Sequence, residues 1–159
     1  MRNEFSFQLN RLDEIAQQAI RNLRTMAEAR RVVVEFNANT PHTTVLGDTE
    51  QLTEAVQHLL HNAIKFNKIG GVVQVECGLS GSHLFLRVVD TGVGIPPERL
   101  ETVWAGLAKL KANGNGRSAG MGLALTRFIV LAHGGRVDAQ SKFGAGSVFT
   151  LYLPLFFDD

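Results

Sequence analysis

The sequence predicts an α/β (α+β) chain: a two-layer sandwich in which a mixed β-sheet carries its helices on one face. Three observations carry that expectation. Apolar residues recur at helical spacing in three stretches, around 12–29, 52–63 and 122–132. Runs rich in Val, Ile, Leu and Phe lie between them, and the late runs are joined by tight glycine turns, as hairpins rather than crossovers. The 159 residues show no internal repeat and no boundary, and fit one domain by the prior of roughly 100 to 200 residues.

Composition narrows the function classes. Hydrophobic residues make up 45% and charged ones 19%, ordinary for a soluble globular chain with a real core. The net charge of +1 advertises neither nucleic acid nor an anionic membrane, so any anion site must be local. A single Cys77 excludes an internal disulfide and multi-cysteine metal sites, and its place in an alternating strand reads as a small core residue. No apolar run approaches the roughly 20 residues that span a bilayer. A cytoplasmic piece is expected, whether or not its parent is membrane-anchored.

Phe5, Phe7 and Leu9 alternate with polar residues and suggest a first strand. Leu12 to Ala29 reads as one helix, with Asn10 or Asp13 as cap candidates, and Val32 to Phe36 as the next strand. Residues 37–42 are loop by composition, Thr44 to Leu46 a short extended piece. Asp48 is placed to cap a second helix running to about Asn67, with Leu52, Ala55, Val56, Leu59, Leu60 and Ala63 as its buried stripe. His58, Asn62 and Lys65 lie off that stripe and share one face.

Val72 to Leu79 and Leu84 to Asp90 read as a hairpin turning at Ser80-Gly81-Ser82. Pro96-Pro97-Glu98 opens a short helix to about Leu107. The glycine-rich, basic stretch to Ala119 reads as a mobile lid, with the whole lid spanning about 97–119. Gly120-Met121-Gly122 opens an apolar helix that His133-Gly134-Gly135 stops, and Arg136 to Lys142 with Gly146 to Leu153 makes a last hairpin.

The chemistry centres on Val88-Val89-Asp90-Thr91-Gly92-Val93-Gly94-Ile95-Pro96, where a buried strand delivers one carboxylate to the lip of a pocket. An ionised carboxylate only accepts hydrogen bonds, so Asp90 suits a ligand edge that donates, such as the exocyclic amine of adenine. Gly92 and Gly94 would leave room for a flat ligand against the main chain. The same residues are also ordinary turn chemistry. Gly120 and Gly122 at a helix start could receive phosphate oxygens. Asn62 offers one amide oxygen suited to Mg2+ whose other ligands are phosphate and water, or is a plain surface amide. Lys65, Lys109, Lys111 and Arg117 either offset phosphate charge or are solvated cations.

In their order these pieces resemble the ATP-binding catalytic domain of sensor histidine kinases, within the GHKL, or Bergerat-fold, superfamily that includes gyrase, Hsp90 and MutL. The matching segments are HLLHNAIKFN at 58–67, DTGVGIPPERL at 90–100, GMGLALTRFIVLAHGG at 120–135 and GAGSVFTLYLP at 144–154. The resemblance implies ATP between the second helix, the lid and the glycine-opened helix. It puts Asp90 on the adenine amine, with Gly92, Gly94 and Ile95 beside the base and Thr150 supporting the contact through water. Asn62 would hold Mg2+. Lys65 and the backbone of Gly120, Met121, Gly122 and Leu123 would meet the phosphates, so Asn62 and Lys65 carry catalysis by positioning and charge neutralisation. The implied reaction moves the γ-phosphoryl group to a histidine on a separate dimerisation domain of the parent kinase, and from there indirectly to a response regulator.

The sequence departs from that pattern at three places. His58 stands where such kinases usually carry Asn, and either faces the metal or a phosphate or is a surface histidine. Ser118 replaces the first glycine of the usual Gly-x-Gly-x-Gly, and Trp104 stands in a segment that is usually Phe-x-x-Phe. None of the five histidines is followed by the acidic residue that marks the family's acceptor, and no long helical hairpin precedes the domain. This chain is therefore expected to be monomeric, to bind no nucleic acid and not to autophosphorylate alone. A nucleotide-binding module that controls a protein contact without turnover is the alternative.

Overall fold

The structure, a computed structural model, describes residues 5–105 and 121–156. Among the described residues, seven strands and five α-helices follow in the order β1 (Gln8–Arg11), α1 (Leu12–Asn22), α2 (Arg24–Ala29), β2 (Val33–Ala38), β3 (Thr44–Gly47), α3 (Thr49–Lys65), β4 (Val72–Ser80), β5 (His83–Asp90), α4 (Pro97–Leu100), a 3-10 turn (Val103–Ala105), α5 (Met121–Ala132), β6 (Arg136–Lys142) and β7 (Gly146–Pro154). The main sheet has the order β2-β4-β5-β7-β6, and β1 and β3 form a separate pair. Only β2 with β4 is parallel within the main sheet, so the sheet is mixed as expected.

Alternation along the strands builds the core. Val75, Cys77, Leu84, Leu86, Val88, Phe149, Leu151 and Leu153 lie on the covered face and are all buried. Helix α3 is the centre of the second layer, touching both α1 and α5 as well as β5. Its stripe of Leu52, Ala55, Val56, Leu59, Leu60 and Ala63 is buried throughout, and Ile64 extends it. Full burial of each Leu is worth about 1.5–3 kcal/mol. Asp48 caps the helix, its Oδ1 accepting the Gln51 N–H at 3.0 Å. Burial raises the Cys77 thiol to about 12, which agrees with a core role.

Four local expectations need correction. The single helix over 12–29 breaks at Leu23, which drops to φ −108° and ψ 11°. No glycine or proline marks the break. The cap of α1 is neither Asn10 nor Asp13 but Arg11, without a side-chain bond. The Leu12 N–H is instead taken by the Thr43 carbonyl at 2.8 Å, and Asp13 accepts from the Thr43 hydroxyl at 2.7 Å. The first strand begins at Gln8 because its pairing with β3 runs from Gln8 opposite Gly47 to Arg11 opposite Thr44. Phe5 and Phe7 cover His133 instead, with ring centroids 5.4 and 4.7 Å from it. The helix after Pro96 is one turn followed by the 3-10 turn, with Trp104 set edge-on to Phe149 at 5.5 Å. Trp104 thus packs on the core. The rest of the expected lid, with Lys109, Lys111, Arg117, Ser118 and Gly120, lies outside the described residues.

Candidate functional site

Asp90 ends β5 and is only 8% exposed. Its Oδ1 accepts the Gly92 N–H at 2.8 Å, and the main-chain N–H of Ser147, directly opposite on β7, also donates to the carboxylate. Burial raises the Asp90 pKa and these two bonds oppose it, so the carboxyl holds its proton above the ordinary range. A ligand that donates a hydrogen bond here would relieve a group already short of water.

The glycines work differently from the expectation. A Cβ on Gly92 would lie 2.3 Å from the Phe66 carbonyl oxygen, and one on Gly94, where φ is 75°, would lie 2.4 Å from that of Lys142. The space their missing side chains leave is filled by this chain's own backbone. Gly92 lets the Asp90 loop close on the end of α3, and Gly94 lets it close on the β6–β7 turn. Gly146 does the same from the other side: its Cβ would lie 2.1 Å from the Asp90 carbonyl oxygen. Ile95 is half-buried against the core, and its N–H donates to Ser141 Oγ at 2.7 Å.

Two residues beside Asp90 were not foreseen. Ser147 and Ser141 share Asp90's row across β5, β7 and β6, with their hydroxyls 2.9 Å apart. Alternation along β7 alone does not reveal them, because the register of β7 against β5 decides which of its residues share Asp90's face. Thr150, expected to support Asp90, is not brought to it. Three residues further along β7 it pairs with Arg87 and Asp138, on the other face of the sheet.

On α3, Asn62 is half-buried and Lys65 exposed, with Lys65 Nζ 5.2 Å from the Phe66 ring centre. His58 lies against the start of α5, where a Cβ on Gly122 would meet its Nδ1 at 2.8 Å, and its Nε2 faces Glu54 Oε1 at 3.4 Å. Thr126 ties the same two helices, donating to the carbonyls of Gly122 and Ala55 at 2.9 and 3.2 Å. The Leu123 side chain is buried in the core, which leaves only its main chain for a ligand. Partial desolvation, then the charges of Lys65 and His58, lower the pKa of His61. No group of three His, Cys, Asp or Glu side chains that could hold a metal occurs among the described residues. The donors present fit a cation that arrives with phosphate oxygens, one amide completing its shell. A groove lined by Asn10, Arg11, Glu14, Gln18 and Arg21 lies at the opposite end of α3 and includes none of these residues.

A buried carboxylate between glycine closures, facing an amide-bearing helix with the glycine start of a second helix beside it, defines an ATP-binding α/β sandwich. The chain belongs to the family of histidine kinase-, DNA gyrase B- and HSP90-like ATPases, whose model matches residues 47–156, and within it to the catalytic domains of sensor histidine kinases. It is 32% identical over 145 residues to the sensor histidine kinase ZraS of Salmonella typhimurium, covering 91% of this chain and 30% of that protein. Sporulation kinase C of Bacillus subtilis is 32% identical over 151 residues, covering 94% of this chain and 34% of its own length. The chain thus spans about a third of these curated relatives. Among solved structures, the mycobacterial sensor histidine kinase MprB matches with a TM-score of 0.77 at 28% identity, covering 94% of this chain and 98% of that one. The catalytic domain of the histidine kinase ThkA shares the fold, with a TM-score of 0.81 at 19% identity and coverage of 95% and 98%.

Proposed function

We propose that this domain binds ATP with its adenine on Asp90 and its phosphates between Asn62, Lys65 and the start of α5, and transfers the γ-phosphoryl group to a histidine on a dimerisation domain of its parent kinase. The observation that carries the reading is Asp90 itself, a carboxylate 8% exposed that meets two main-chain donors, those of Gly92 and Ser147. It remains able to accept a further donor, as the adenine amine requires. Gly92, Gly94 and Ile95 shape the wall beside the base, and Ser147 supports Asp90 from β7.

Asn62 would hold Mg2+ together with phosphate oxygens and water, and the ion would neutralise charge on the transferring group. Lys65 and the main chain of Gly120, Met121, Gly122 and Leu123 would meet the phosphates. Because phosphoryl transfer asks little covalent chemistry of the protein, these residues act by alignment and charge. The site lies in the cytoplasm in this reading, and a response regulator receives the phosphoryl group downstream.

Incubation with γ-labelled ATP, Mg2+ and the dimerisation domain of the parent kinase tests the transfer. Acid-labile label on the acceptor, absent with Asn62→Ala, is expected. Bound ATP without any transfer would favour the alternative, a nucleotide-dependent contact module, for which the replacement of the usual Asn by His58 is the specific motive.

A further inference from the structure

The end of α3 and the Asp90 loop are fastened by a group of residues with no part in the nucleotide contacts above. Asn67 is 3% exposed, and both ends of its side-chain amide are hydrogen-bonded. Its Nδ2 donates to the Val72 carbonyl at 3.1 Å, and its Oδ1 accepts from the Lys68 N–H at 2.8 Å and from the Thr91 hydroxyl at 3.0 Å. The Thr91 hydroxyl in turn accepts the Val72 N–H at 3.0 Å. From behind, Arg30 donates to the carbonyls of Ile64 at 3.0 Å and Asn67 at 2.5 Å, at the carbonyl-rich end of the helix where a cation is favoured. The Val93 N–H reaches the Phe66 carbonyl at 3.1 Å. Gly71 makes the approach possible, since a Cβ there would lie 2.1 Å from Asn67 Oδ1.

We propose that Arg30, Asn67 and Thr91 are positioning residues that set the span of the site, holding the phosphate end on α3 at a fixed distance from the base end at Asp90. The inference rests on the ATP reading above. Asn62 and Lys65 lie in the last turn of α3, within five residues of Asn67 just past its end, and Asp90 is the neighbour of Thr91 in sequence. The clasp therefore joins the segments that carry the two ends directly, through the Thr91 hydroxyl on Asn67 Oδ1. A ligand that reaches only Asp90 does not need the span, whereas a ligand that touches both ends does. Loosening the clasp should weaken the second and spare the first.

Thr91 is the place to test this, because its side chain is exposed and its replacement leaves the core intact. Thr91→Val removes the hydroxyl that bridges Asn67 and Val72, and Thr91→Ser keeps it. Affinities for ATP with Mg2+, by calorimetry, and for adenosine, by NMR titration, are measured on the whole chain. Thr91→Val is expected to weaken ATP about tenfold while adenosine stays within about twofold, and Thr91→Ser to behave as the parent. Asn67→Ala should show the same selectivity, and Thr91→Val alone decides the matter if Asn67→Ala does not fold. Equal weakening of both ligands, or of neither, overturns the positioning role. Failure of the parent chain to bind ATP at all is a different result, and removes the nucleotide reading along with the inference.

Discussion

Asp90 meets two opposing demands. Burial disfavours its charge, yet the charged form is the better acceptor for a donating ligand. Because the folded chain holds this proton more tightly than the unfolded chain, the group's contribution to stability is greatest on the acid side. That contribution is lost as pH rises from the ordinary carboxylate range through the raised folded value. Asp90→Asn keeps an oxygen for the Gly92 N–H and removes the charge. The variant should therefore melt at a higher temperature than the parent at neutral pH, with the gap closing on acidification; melts across a pH series check this, and an unchanged or lower Tm at neutral pH would refute it. Asp90 was legible because a strand ran into it and glycines followed. The partner on β7 was not: Thr150 came from the family resemblance, and a position three residues along a strand faces away from the first, so finding Ser147 needs the register that the pairing of β5 with β7 supplies.

At the scale of the element, α3 was readable from end to end because its signals agree. It has a capping carboxylate at Asp48, a stripe at helical spacing, and the amide and lysine on the opposite face. The cap does more than its own helix requires, since Asp48 Oδ2 also accepts the Ser6 N–H at 2.7 Å and anchors the chain ahead of β1. Asp48→Ala should cost about 1–2 kcal/mol in urea unfolding, through loss of the cap and of this second bond. A change below a few tenths of a kcal/mol would show that the carboxylate is dispensable. The hairpins were equally readable, for Gly81 takes the positive φ of 60° that the β4–β5 turn needs. The break at Leu23 and the late start of β1 were not. The late start of β1 is set by a distant segment, its pairing with β3, and the break at Leu23 carries no glycine or proline signal in the sequence.

Across the whole molecule, the sheet and its helices serve to bring together four segments that are far apart in the chain: the end of α3, the Asp90 loop, the start of α5 and the β6–β7 turn. Their order along the sequence carried the family resemblance, while their contacts could be seen only in three dimensions. Glycines read as room for a ligand turn out to be the places where these segments touch. In this arrangement the base end and the phosphate end are separable, with Asp90 at one and Asn62 at the other. The most direct measurement is calorimetric titration of the domain with ATP, with and without Mg2+, beside Asp90→Asn and Asn62→Ala. The account predicts binding by the parent that Mg2+ strengthens, binding abolished by Asp90→Asn, and weaker, metal-independent binding by Asn62→Ala. Undiminished binding by Asp90→Asn, or none by the parent chain, would contradict it.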